Sequence, residues 1–174
     1  MPMLFRVLLL LIGLGAGLQA GGQAPAEAPL PGLLADLPRE LVVHHFPSPT
    51  YASEDPDQTR YRYFWKHITT VLSPGEAVAV TGCGAYIFYD GRWNLRVRHT
   101  PKAFARLFHC RKARLEAGQP YTFPDNWRTD NRLTGGWALW YVVGQTKDGR
   151  TVCGYAALET VGEWITNQKP DRDD

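Results

Sequence analysis

The chain has 174 residues, 44% of them hydrophobic and 12% aromatic, with 19 Lys/Arg against 17 Asp/Glu. This composition excludes a disordered or low-complexity protein, and a formal net charge of +2 lacks the overall basicity of a nucleic-acid-binding chain. The length supports one domain with one sizeable core.

Arg6 precedes an apolar run from Leu8 to Leu18, and a small residue, Ala20, stands at a suitable cut. That is the pattern of a secretory signal peptide over residues 1–20. The run is shorter than the roughly 20 apolar residues of a membrane span, although retention as an N-terminal anchor is the alternative. A lipid anchor needs a cysteine at the cut, and the first cysteine is Cys83. The mature chain is therefore expected to be periplasmic or secreted, with no stable membrane span after the signal is removed.

Residues 21–40 read as a flexible Ala/Pro/Gly-rich leader, with a short turn of helix near Leu33–Leu37. A globular domain over 41–168 follows, and residues 169–174 are an acidic tail. Leu41–Phe46 has strand character and is stopped by Pro47 and Pro49. Asp55-Pro56 suits a helix start, and Tyr61, Phe64, Trp65, Ile68, Val71 and Leu72 repeat at i, i+3, i+4, i+7. The spacing predicts an amphipathic helix over 56–72, ended by Ser73-Pro74-Gly75. Glu76–Gly82 reads as a strand.

Asp90-Gly91 lies between strand-like runs and predicts a hairpin over 85–98 with a two-residue turn. That register opposes Phe88 to Trp93, Tyr86 to Leu95 and Gly84 to Val97. It sets Cys83 against Arg98 and places Arg92, Arg96 and Arg98 on one face. Thr100-Pro101 opens a second short helix with Phe104, Leu107 and Phe108 inward and Lys102, Arg106 and His109 outward. Glu116–Leu133 reads as a long loop. A second hairpin spans 137–160 and turns near Asp148-Gly149; a three-residue loop there shifts the pairing by one. Both of its faces are apolar, so its strands are expected to lie centrally. The resulting fold class is α+β: a mostly antiparallel sheet of about five strands, packed by the helix over 56–72 and the second short helix.

Chemistry concentrates in one stretch. Arg92, Arg96, Arg98, Lys102, Arg106, Arg111, Lys112 and Arg114 occur with no acidic residue between Asp90 and Glu116. Such local positive density holds an anionic ligand or a complementary protein face, and arginine makes forked contacts to carboxylate and phosphate. Glu54, Asp55 and Asp57 are the acids available to balance it from elsewhere. Trp127 in the long loop adds an aromatic contact to the expected surface.

Cys83 offers a second class of function. With His99 as base it forms a candidate Cys/His hydrolase or transferase, the Arg98 charge lowering the thiol pKa. In an oxidising compartment two of the three cysteines tend to pair, and Cys110–Cys153 is the expected disulfide. His44 and His45 are adjacent, so on a strand they point to opposite faces and do not share a metal. The glycines of TGCG and LTGGW lack the arrangement of a phosphate loop. No cofactor and no metal are expected. The leading expectation is a small exported binding protein, inhibitor-like, immunity-like or an envelope accessory. It would engage a protein or an anionic envelope polymer through the basic surface, and no nucleic acid.

Overall fold

Two Asp-Gly turns set the frame of the fold. In the computed structural model, which describes residues 28–164 apart from 55, 56 and 58, Asp90 and Gly91 both have positive φ (52° and 71°). A two-residue turn of that kind needs left-handed backbone at both positions, and it matches the twist of the flanking strands. It joins β5 (Val78–Tyr89) to β6 (Arg92–His99), with Phe88 opposite Trp93 and Tyr86 opposite Leu95. The second hairpin joins β10 (Gly136–Gln145) to β11 (Thr151–Trp164). There the Thr146 amide donates to the Arg150 carbonyl at 3.0 Å across the three residues Lys147, Asp148 and Gly149, and Gly149 has φ 85°. The register is accordingly shifted by one from a two-residue turn.

β10 also pairs with β5, and these strands form a sheet in the order β2 (Thr50–Ala52), β11, β10, β5, β6, with β7 (Arg114–Leu115) added alongside the start of β5. All its pairings are antiparallel except β2 with β11. A second sheet runs β1 (Val42–Phe46), β4 (Ile68–Leu72), β8 (Pro120–Phe123), and β3 (Tyr63–Trp65) pairs with β9 (Arg128–Asp130). The fold is thus mostly β, with a curled half-barrel sheet and, among the described residues, two short helices: α1 (Gly32–Ala35) and α2 (Pro101–Leu107). It is not the α+β packing expected from the sequence.

The correction has a local cause. No helix covers 56–72; its apolar residues lie on β3 and β4 instead. Ile68, Thr69, Thr70 and Val71 are a β-branched run, stiff at χ1 and better suited to a pleated surface than to a helix. Thr69 and Val71 are buried and their neighbours half-buried, the alternation of a strand. Glu116–Leu133 is likewise no structureless loop, because β8 covers β4 and β9 pairs with β3. Glu76–Gly82 is not a separate strand either but runs into the 12-residue β5. The Asp55-Pro56 helix start, the signal peptide, residues 21–27 of the leader and the acidic tail lie outside the described residues. No helix among those described is long and apolar enough to cross a membrane.

β10 and β11 are buried on both faces. The inner face carries Val142, Val152, Val80 and Cys83 against Leu41, Val43 and Val71, joined by Phe104 of α2 and Phe108 just after it. The outer face packs Leu139, Tyr141, Val143 and Cys153 beneath Leu34 of α1. The sheet therefore separates Cys110, in the inner cluster, from Cys153, in the outer one. In this structure all three cysteines, including the expected Cys110–Cys153 pair, are free and buried. Thr100 caps α2 by accepting from the Ala103 amide at 3.3 Å, and Lys102, Arg106 and His109 face solvent.

Candidate functional site

The most consequential residue of the basic stretch is Arg96, because it is the extra residue of a bulge. Below it the β5–β6 register matches expectation. Beyond it Ala85 opposes Val97, Gly84 opposes Arg98 and Cys83 opposes His99. A bulge of one residue reverses the face of everything after it. Arg92, Arg96 and Arg98 therefore do not share a face: Arg92 falls on the inner side, while Arg98 falls on the outer side and bonds Tyr141. Arg96 lines the inner cleft of the half-barrel, while Lys102 and Arg106 are exposed on α2. Burial, and secondarily the Arg106 charge nearby, disfavour the charged form of His99.

None of Arg92, Arg96, Arg98, Lys102, Arg106, Arg111 or Lys112 forms an ion pair among the described residues. Five carboxylates are engaged with other arginines. Arg62 holds Glu54 at 2.7 Å, Arg114 holds Glu116 at 3.1 Å, and Arg150 bridges Glu40, Glu76 and Asp148 at 2.7–3.1 Å. Glu54, one of the acids expected to balance the basic stretch, thus belongs to Arg62.

Beside this surface the inner face of the half-barrel opens into a cleft of about 480 Å³. Its floor is Ala85 and Ile87 of β5, Ala138 and Trp140 of β10, and Leu158 of β11. Small side chains at Ala85 and Ala138, which oppose Trp140 and Ile87 across the β5–β10 pair, leave the space. One wall is the segment from Asn126 to Asp130, with Trp127 38% exposed, and the β6 rim supplies Arg96. Arg128 is held in place: Nη1 donates to Thr160 Oγ1 (2.6 Å), Nη2 to Thr134 Oγ1 (2.9 Å), and the guanidinium lies over the Trp65 ring at 4.3 Å. A larger depression, about 590 Å³, lies between residues 39–43 and 73–78, but its carboxylates Glu40 and Glu76 are both bound to Arg150.

Behind the cleft is a buried polar chain that sequence reasoning missed. His45 Nε2 lies 3.2 Å from the Ala156 carbonyl, so this nitrogen carries the proton. His45 Nδ1 then accepts from the Thr69 hydroxyl at 2.9 Å, and Thr69 Oγ1 accepts from Asn126 Nδ2 at 2.6 Å. His67 stands edge-on to His45, with centroids 5.9 Å apart, and donates from Nδ1 to the Trp65 carbonyl at 3.1 Å. His44, by contrast, is exposed, so the adjacent pair does point to opposite faces.

Burial lowers the His45 pKa to about 4; the bond to the Ala156 carbonyl opposes this, and His67 and His44 work more weakly against protonation. The unfolded chain takes up this proton near the ordinary value of 6.5, before the folded protein does. Stability is therefore expected to fall as pH drops from about 6.5 to about 4, by on the order of 3 kcal/mol from this residue. Thermal melting across that window measures it, and His45→Gln should flatten the slope. A wild-type melting temperature constant over the window would contradict the assignment.

Cys83 is opposed by His99 rather than Arg98, and its surroundings disfavour the thiolate. The thiol is fully buried, and burial pushes its pKa up to about 12, whereas nucleophilic thiols have theirs lowered by a nearby cation. The His99 ring stacks on Trp140, centroids 6.2 Å apart and planes 12° from parallel. No group of three or more His, Cys, Asp or Glu side chains converges as a metal-ligand set among the described residues. No family model, no curated protein and no solved structure matches the chain.

Proposed function

We propose that the chain is an exported binding protein that holds an anionic protein face or envelope polymer against the surface formed by β6 and α2. The observation that carries this reading is the set of seven cations between Arg92 and Lys112 with no ion-pair partner among the described residues, while Glu40, Glu54, Glu76, Glu116, Asp130 and Asp148 pair with other arginines. Unneutralised cations close together, such as Lys102 and Arg106 on the exposed side of α2, raise the local concentration of an anionic partner and speed its capture. Export rests on residues 1–20, outside the described part of the chain.

Dextran sulfate immobilised on a sensor surface is a suitable polyanion probe. The double variant Lys102→Glu, Arg106→Glu changes two exposed side chains of α2. It is expected to lose about tenfold or more in affinity while melting like the wild type, since exposed side chains contribute little to stability. Wild-type capture should weaken from about 50 to about 300 mM salt as screening shortens. Capture unchanged by the double substitution, or indifferent to salt, would remove the basic surface from the function.

A further inference from the structure

The cleft carries an inference of its own. Ile87 (37% exposed), Tyr89 (49%) and Trp127 (38%) come from two separate elements and line one concavity. A cleft of about 480 Å³ is of the size that encloses a small molecule. Its charge has one sign. Arg96 at the rim has no ion pair among the described residues, whereas Asp130, the one carboxylate of the lining, is held by Arg128 at 3.6 Å and by the amides of Asn131 and Arg132. Deeper in the wall, His67 is only 4% exposed and its Nε2 is a buried acceptor with no partner. Buried acceptors in folded proteins nearly always have a donor, and a ligand N–H or O–H, or a water bound with the ligand, supplies one.

We propose that this cleft binds a small planar aromatic ligand bearing one anionic group, its ring against Trp127, Ile87 and Tyr89 and its charge at Arg96. Aromatic walls favour a flat ring through stacking and edge contacts, and a guanidinium pairs with a carboxylate, sulfonate or phosphate through charge-assisted hydrogen bonds. Lys102 and Arg106 do not line the cleft. This site and the polyanion surface can therefore fail separately.

The test uses two probes of nearly the same shape, the anionic 1-anilinonaphthalene-8-sulfonate and the neutral N-phenyl-1-naphthylamine, titrated into the full chain by fluorescence and calorimetry. One saturable site is expected for each. Trp127→Ala and Tyr89→Ala, both at exposed side chains, should weaken both probes by about fivefold or more, as loss of an aromatic contact does. Arg96→Gln should weaken the sulfonate by about tenfold, the effect of one charge-assisted hydrogen bond, and leave the neutral probe within about twofold. The Lys102→Glu, Arg106→Glu variant should bind both probes like the wild type while losing dextran sulfate. Non-saturable binding, or binding unmoved by Trp127→Ala and Tyr89→Ala in proteins that melt normally, would overturn the site. Equal response of the two probes to Arg96→Gln would overturn the anionic preference.

Discussion

Trp65→Ala is expected to destabilise the protein by about 3–5 kcal/mol, the range for removing a large aromatic from a core that cannot collapse around the gap. Trp65 has no exposed surface and forms a small core cluster with Ala52 and Tyr63. Three partners depend on it. Its Nε1 donates to the Val161 carbonyl at 2.8 Å, the Tyr63 ring lies 6.4 Å from its own, and the Arg128 guanidinium rests on its face at 4.3 Å. Alanine leaves the β11 carbonyl without that donor and Arg128 without its stacking surface. Urea denaturation measures the loss; a change under about 1 kcal/mol would be too small for a core residue of this size. Because Arg128 lines the cleft, probe binding should also weaken in whatever Trp65→Ala protein remains folded.

Gly84→Ala is the second large effect, expected at about 2–3 kcal/mol. Glycine is required here by close approach. An added Cβ would stand 2.2 Å from the Val97 carbonyl oxygen and within 3.0 Å of the Tyr141 ring and hydroxyl. The carbonyl belongs to the backbone of β6, so relief means lifting that strand off β5, not turning a side chain. Gly75 has nothing within 4 Å of its added Cβ, and Gly75→Ala is the matched control. Equal urea midpoints for the two variants would show that β6 gives way without strain.

What the sequence made legible was local. Each hairpin announces itself through Asp-Gly between β-prone runs, and the pairing of Phe88 with Trp93 follows from the turn alone. The buried seam on both sides of β10 and β11 is readable from their unbroken hydrophobicity. The segment 56–72 misleads because aromatic and β-branched residues spaced at 3 and 4 also fit two short strands joined by Lys66-His67. The β-branched run over 68–71 is the one local hint of a strand, and the helical spacing outweighs it until β8 and β9 are known to pair with these segments. Of the site, the stretch holding Arg96, Lys102 and Arg106 was visible as charge, and Trp127 as an exposed aromatic. The face each arginine takes was not, because a single extra residue decides it. The chain of Asn126, Thr69 and His45 was invisible for another reason: its members are 57 and 24 residues apart, on the segment between β8 and β9, on β4 and on β1, and meet only in the folded chain.

The bulge at Arg96 has a further consequence for the life of the protein among its neighbours. β6 is the outermost strand of the main sheet on its side, and β2, at the other end, is only three residues long. An open strand edge is a template on which another chain can polymerise. β6 breaks that template twice: its hydrogen-bonding row loses step at the bulge, and three arginines along it repel a second copy presenting the same edge. The charge proposed to attract a partner of opposite sign would thus also oppose pairing of identical molecules along this edge.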